Sequence, residues 1–316
     1  MFIEQAYKCQ SEFWRYLLGS LLVIAASVVG QVPLLLALIF LKGPTILQGM
    51  DQNDMLTMLD SNLTFFLILI PFVIAFAALI FSIRFIHHQK LIDVTTSRKK
   101  FDWSRALFAF TLIGLFTIVT TGIDYFTNPQ DYIFNFKLVP FLILTVLAIL
   151  LVPIQTSLEE YLFRGYLMQG FGMLAKNKWF PLIMTSLIFG GLHFFNPEVG
   201  KLGNIIMVYY IGTGFLLGIM TLMDEGMELS LGFHAANNLI TSILVTADWT
   251  AFQTESILKD ISEPSQGFDV IMPVFIVYPI FLAILAFKYK WTGWRDKLFG
   301  KVTPPQKEIE EHLVAD

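Results

Sequence analysis

The sequence carries little charge, a single cysteine and none of the short motifs that mark the commonest hydrolases. Only 15% of its 316 residues are charged, against roughly 25% in a soluble domain. With 55% hydrophobic residues and a mean hydropathy of +0.66, that scarcity excludes a water-soluble globular chain. The lone Cys9 excludes a disulfide framework and a four-cysteine metal site. No G-x-S-x-G turn offers a serine nucleophile, and no H-E-x-x-H helix offers a zinc-binding pair. The net charge of −4 comes without a basic stripe or aromatic-basic repeat, so nucleic acid is not an expected partner. Internal repeats, Gly/Ser linkers and low-complexity tracts are missing too, which describes one membrane domain with short loops.

What the chain does have is long apolar runs. They fall at 17–41, 63–86, 106–123, 138–157, 180–195, 204–223, 229–247 and 269–287, most near the ~20 residues that cross a bilayer, with the fifth run short. The expected fold is all-α, a polytopic membrane bundle of about eight transmembrane helices. The first run is too long for a signal-peptide core of roughly 7–15 residues and reads as a retained helix kinked at Pro33. The chain divides into helices one to three with a basic loop (1–130), helices four to seven (131–247), and the last helix with a polar tail (248–316). That tail, with Pro304 and Pro305 ahead of an acidic stretch, reads as exposed and partly disordered. Of the 21 basic residues, only Lys42, Lys137, Lys201 and Lys259 fall in the odd-numbered loops, which places both termini in the cytoplasm. The block Arg84, Lys90, Arg98, Lys99, Lys100 and Arg105 reads as a topology signal beside anionic lipid.

Ionisable residues within membrane helices are costly and so point to function. Three constellations stand out, all in helices four to seven. In Glu159-Glu160-x-x-x-Arg164, Glu160 and Arg164 are four apart and share a helix face, in the favourable order for pairing. Glu159 is turned about 100° away and faces the bundle, where poor solvation would suit a base. The alternative is an ion pair closing helix four at the cytoplasmic surface. In Phe189-Gly190-Gly191-Leu192-His193, the glycines allow close helix approach and place His193 in a tight spot, as a packing hydrogen bonder or as a functional group. In His234-Ala235-Ala236-Asn237-Asn238, His234 and Asn238 share a face. They suit holding a water and stabilising an oxyanion, or serve as polar glue, with Asn237 off that face as a packing residue.

The ordered trio E-E-x-x-x-R, F-x-x-x-H and H-x-x-x-N resembles the CPBP intramembrane proteases, the group containing type II CAAX prenyl endopeptidases and bacteriocin-processing or self-immunity proteins. The resemblance covers about a third of the chain, with every motif position filled. It implies that Glu159 activates a water, that His193 orients it, and that His234 and Asn238 bind the oxyanion. Glu160, Arg164 and Phe189 are implied as supporting residues. No metal is required on this reading; were zinc to bind, its ligands would be Glu159, His193 and His234. The implied partners are a peptide or protein substrate at the membrane, prenylated or otherwise, and the lipid bilayer of a bacterial cell. Competing readings on the same residues are a non-catalytic interaction or immunity protein and a proton-coupled transporter. One geometric conflict stands against all of them. With every helix starting in one plane, Glu159 lies near the cytoplasmic end, His193 about 20 Å in, and His234 only a few residues in, so the three would not meet.

Overall fold

The computed structural model describes residues 1–43, 52–264 and 267–304. The polar tail, expected to be exposed and partly disordered from Lys288 on, instead forms a helix at Trp294–Phe299 and buries Trp291, Leu298 and Val302; its part beyond 304 lies outside the described residues. An apolar run in lipid must satisfy its own backbone, which a helix does within one segment, and helices form throughout. The first run gives α1 (Phe13–Gly30) and α2 (Val32–Lys42), joined at Gln31 just ahead of Pro33, whose ring lacks a backbone donor. After the short α3 (Gln52–Thr57), Asp60 caps α4 (Ser61–Phe81) by accepting from the amides of Asn62 and Leu63. Gly30 lets α1 sit against Pro71 of α4, since a Cβ there would stand 2.4 Å from the proline Cα. Next come α5 (Leu91–Thr95) and α6 (Trp103–Thr127).

Residues Leu138–Ala175 then form one helix of 38 residues. It comprises α7 (Leu138–Glu160), a widened π turn at Tyr161–Leu167, and α8 (Met168–Ala175). Helices α9 (Trp179–Leu192), α10 (Pro197–Leu202), α11 (Ile206–Asp224) and α12 (Glu228–Leu244) follow. The chain closes with α13 (Phe268–Met272), α14 (Tyr278–Tyr289) and α15 (Trp294–Phe299). A small sheet of β1 (Tyr132–Phe134), β2 (Val245–Ala247) and β3 (Leu258–Asp260), in the order β1-β3-β2, ties the end of α12 to the start of α7. β3 pairs antiparallel with β1 and parallel with β2.

The chain is an all-α, multi-pass membrane protein. Among the described residues, six helices are long and apolar enough to cross a membrane. The other two expected spans are helices as well, at Trp179–Phe195 and Glu228–Leu244, but each is 17 residues long. Both carry residues of the candidate site; Glu228–Leu244 is mostly buried, whereas Trp179–Phe195 keeps one face exposed at Trp179, Ile183, Leu187 and Leu192.

The depth conflict disappears because two assumptions behind it fail. Helix four does not end near Ser157. It runs 16 residues past Glu159 to Ala175, or about 24 Å at 1.5 Å per residue. Helix α9 turns back and climbs 14 residues from Trp179 to His193, about 21 Å. Helix α12 starts recessed: Met227, just before it, packs on Gly165, where a Cβ would lie 3.3 Å from the methionine sulfur. Gly165 is itself about 15 Å up from Ala175, and His234 is about 10 Å beyond Met227, so all three side chains reach one level.

What recesses α12 is a buried ion cluster that the basic loop enters. Arg98 Nη2 donates to Asp224 Oδ2 at 3.0 Å and Nη1 to Glu228 Oε2 at 3.1 Å, and Arg105 also binds Asp224. Two of the six basic residues assigned to topology and lipid are thus engaged inside the protein. Gly232 completes the seam with α6, where a Cβ would meet the Ala106 carbonyl oxygen at 2.0 Å.

Candidate active site

The buried pair at the centre of the site is Glu160 and Arg164. Their four-residue spacing on one helix face brings Arg164 Nη1 to Glu160 Oε1 at 3.0 Å, with both side chains almost wholly excluded from solvent. The pair therefore lies well inside the bundle and does not close helix four at a surface. Arg164 Nη2 donates to the Gly214 carbonyl at 3.2 Å, and its guanidinium stacks 4.3 Å above the Phe189 ring. Gly214 can come this near because α9 and α11 pack without side chains between them. A Cβ at Gly214 would meet Ser186 Cα at 2.8 Å, and one at Gly190 would meet the Ile211 backbone nitrogen at 2.9 Å. Only the first of the paired glycines does this, since Gly191 faces open space.

His234 is held between both acids. Its Nδ1 donates to Glu160 Oε1 at 2.8 Å, and its Nε2 lies 3.5 Å from Glu159 Oε2. Glu159 is turned off the Glu160–Arg164 face, as the helical repeat requires, and its other oxygen accepts from Gln155 Nε2 at 2.6 Å. Gln155 also accepts from Asn238 Nδ2 at 3.1 Å, so one carboxamide links the acid of α7 to the asparagine of α12. Sequence reasoning missed Gln155, although its i, i+4 spacing to Glu159 in an apolar run was a usable signal. Asn237, expected to face away, donates to Asn238 Oδ1 at 3.0 Å and reaches the same space.

His193 closes the far side. Its Nδ1 donates to the Phe189 carbonyl at 2.8 Å, which leaves Nε2 of the neutral ring with the free lone pair. The imidazole stacks on Tyr210 at 4.5 Å and touches Phe189 at 4.8 Å. Phe189 is buried and contacts His193, His234 and Arg164, which explains why an aromatic ring belongs in this motif. Glu159, His193, His234 and Asn238 all line one cavity of about 830 Å³. Cys9 stands outside it, and burial pushes its thiol up to about 12.

Among the described residues, no three His, Cys, Asp or Glu side chains gather as a set able to hold a metal ion. Of the conditional ligands, each imidazole engages Nδ1 with a protein oxygen, and His234 Nε2 lies 3.5 Å from Glu159 Oε2.

Residues 138–240 match the family described as type II CAAX prenyl endopeptidase Rce1-like, a span that contains all four cavity-lining motif residues. The chain is also 33% identical over 236 residues to the uncharacterized protein YyaK of Bacillus subtilis (strain 168), covering 74% of this chain and 78% of that one. The chain belongs to the Rce1-like family. This agrees with the likeness carried by its three motifs, and the family is a membrane protease family. No solved structure matches the chain. The Rce1-like segment begins with α7 and ends within α12, so the family region and the cavity walls built by α7, α9 and α12 coincide.

Proposed function

We propose that the protein is an intramembrane endopeptidase that hydrolyses a peptide bond of a prenylated or otherwise membrane-associated substrate, with Glu159 as the base. The observation that carries this reading is the meeting of Glu159, His193, His234 and Asn238 around one cavity inside the bundle. Both termini face the cytoplasm on this reading, from the distribution of basic residues.

A water held between Glu159 and the free Nε2 of His193 gives up a proton to the Glu159 carboxylate as its oxygen adds to the scissile carbonyl carbon. The negative charge that develops on the carbonyl oxygen is met by the amide of Asn238 and by Nε2 of His234, which donates when it is protonated in addition to the Nδ1 that binds Glu160. Preorganised donors of this kind are typically worth about 2.7–4 kcal/mol each. The tetrahedral intermediate collapses as the carbon–nitrogen bond breaks, and Glu159 returns its proton to the leaving amine. Gln155 aims both Glu159 and Asn238, while Arg164 neutralises Glu160 so that this second acid can anchor His234. No metal takes part in these steps.

The test uses the full chain in lipid nanodiscs and a fluorescent peptide carrying a farnesylated cysteine followed by three residues. Cleavage by the wild type that survives a chelator, and that falls by about a thousandfold in Glu159→Gln with unchanged thermal unfolding, is the expected result. Equal cleavage by the variant would overturn the assignment of the base, and binding without cleavage would indicate a non-catalytic interaction protein.

A further inference from the structure

The cavity has a second polar region, away from the catalytic acids, on two elements that the family motifs do not reach. Glu198 stands in α10, five residues past His193, and one of its oxygens, Oε1, accepts from the Ala251 amide at 2.9 Å. Its other oxygen, Oε2, is buried and has no hydrogen-bond partner. Trp249, two residues before Ala251, is in the same condition with the opposite polarity, since its Nε1 is a buried donor without an acceptor. Both residues line the cavity. Buried polar groups are paired in the great majority of native structures, and each exception calls for an explanation.

The loop that carries Trp249 is firmly built. Thr254 donates its amide to Thr246 Oγ1 at 2.9 Å and its hydroxyl to the Ser242 carbonyl at 2.7 Å. Phe252 packs edge-on against Phe65 of α4, with ring centroids 5.4 Å apart. Glu198 fastens the same loop through Ala251, so the two orphan atoms belong to one braced wall.

We propose that Glu198 and Trp249 form a substrate-recognition subsite for a peptide group, with Glu198 Oε2 accepting from an N–H and Trp249 Nε1 donating to a C=O of the bound chain. This rests on the reading above that the cavity holds a peptide. The pairing of one acceptor with one donor selects the occupant. An ammonium or guanidinium offers donors only and would leave Trp249 unmet, and a carboxylate offers acceptors only and would be repelled by Glu198. A peptide amide supplies both. Burial pushes the Glu198 carboxyl above its usual range, against the lowering effects of the Ala251 amide, its own amide, His193 and the neighbouring Tyr210 hydroxyl.

The experiment measures equilibrium binding of the farnesylated peptide to the full chain in nanodiscs, with Glu159→Gln in the background so that cleavage does not interfere. A second set of probes replaces each peptide N–H in turn by an ester oxygen. Glu198→Gln keeps a carbonyl oxygen for Ala251 but turns an NH₂ toward the cavity, reversing the polarity of the wall. Trp249→Phe removes the indole donor and breaks no hydrogen bond within the protein. Each substitution should weaken binding about tenfold. One ester position should lose a similar factor on the parent protein and nothing further on Glu198→Gln. Unchanged affinity in both variants, or equal sensitivity to every ester, would overturn the subsite, as would no binding of any probe to the parent. Should Glu198→Gln fail to fold, Trp249→Phe decides alone. A wild type that binds the probe with these signatures but does not cleave it would overturn the hydrolase and leave the subsite standing. Cleavage with affinity indifferent to both residues would do the reverse.

Discussion

Two buried ion clusters in this protein use the same residue types, yet only one of them opens on a cavity. Where α11 meets α12, Asp224 takes Arg105 and the Trp291 indole on one oxygen and Arg98 on the other, while Glu228 takes Arg98 and the Asp102 amide. All four carboxylate oxygens are partnered. At the end of α7, where the π turn begins, Glu160 accepts from Arg164 and His234 through one oxygen and has no partner on the other, and Arg164 Nε is likewise unmatched. The first cluster is saturated and fixes where α12 begins. The second leaves Glu160 Oε2 and Arg164 Nε without a partner, and it is linked to the cavity wall through His234, which stands beside Glu159. Buried charge alone is thus a poor guide to chemistry here; what separates the clusters is that only the second is joined, through His234, to side chains on the cavity wall.

Breaking each cluster should give effects of different kinds. The largest is Arg164→Met, which strands Glu160 without its cation in a fully buried position. Removing one member of such a pair costs roughly 3–5 kcal/mol, read as a fall in thermal unfolding temperature in detergent. The double variant Glu160→Gln with Arg164→Met should recover most of that stability, because the uncompensated charge is gone. Next is Asn238→Ala, expected to lower kcat by about a hundredfold to a thousandfold, the usual effect of losing one oxyanion donor. Its unfolding temperature should change little, since Asn238 touches Gln155 and Asn237 at a partly open site. A stability loss without a kcat effect would mean that Asn238 is polar glue. Asp224→Asn should follow at about 1–2 kcal/mol of stability, less than the first because both arginines are partly solvated. Activity per folded molecule should stay within twofold of the wild type. If kcat falls with Asp224→Asn, the recessed start of α12 does more than position His234.

The contrast also explains what the sequence could and could not reveal. The apolar runs were legible because a bilayer demands length, and the Glu160–Arg164 pair was legible because both partners lie on one helix, four residues apart. The end of helix four was not. A cluster of Glu159, Glu160 and Arg164 after a greasy run looks like the water boundary when hydropathy is summed locally. Yet these groups are satisfied inside the bundle by the Gly214 carbonyl and by His234, which come from 50 and 74 residues away. The same blindness to distant partners hid the ion pairs of Arg98 and Arg105 with Asp224. Gln155 lay within reach of helical spacing, while Glu198 and Trp249 did not, because nothing local shows that a loop will bring an indole and a carboxylate to one wall.

Glu198 repeats the pattern of Glu160, with one oxygen satisfied and one not, and it offers the finest test of the comparison. Burial raises its proton affinity in the folded protein above the ordinary glutamate value of 4.5. The folded state therefore binds this proton more tightly than the unfolded chain does. The resulting stabilisation is fully present below the unfolded value and is lost as pH rises through the higher folded one. Glu198→Gln removes that titration while keeping an oxygen for Ala251. Across unfolding temperatures measured from pH 4 upward, the variant should gain on the wild type as pH rises above about 4.5 and then hold a constant lead. A bound peptide that donates an N–H to the ionised acid should shrink the lead, because it supplies the partner that the free protein lacks. A carboxylate held below its ordinary value in the folded protein would behave in the opposite sense, losing stability when acid removes its charge. A wild type that gains on Glu198→Gln with rising pH would therefore overturn the upward shift of Glu198.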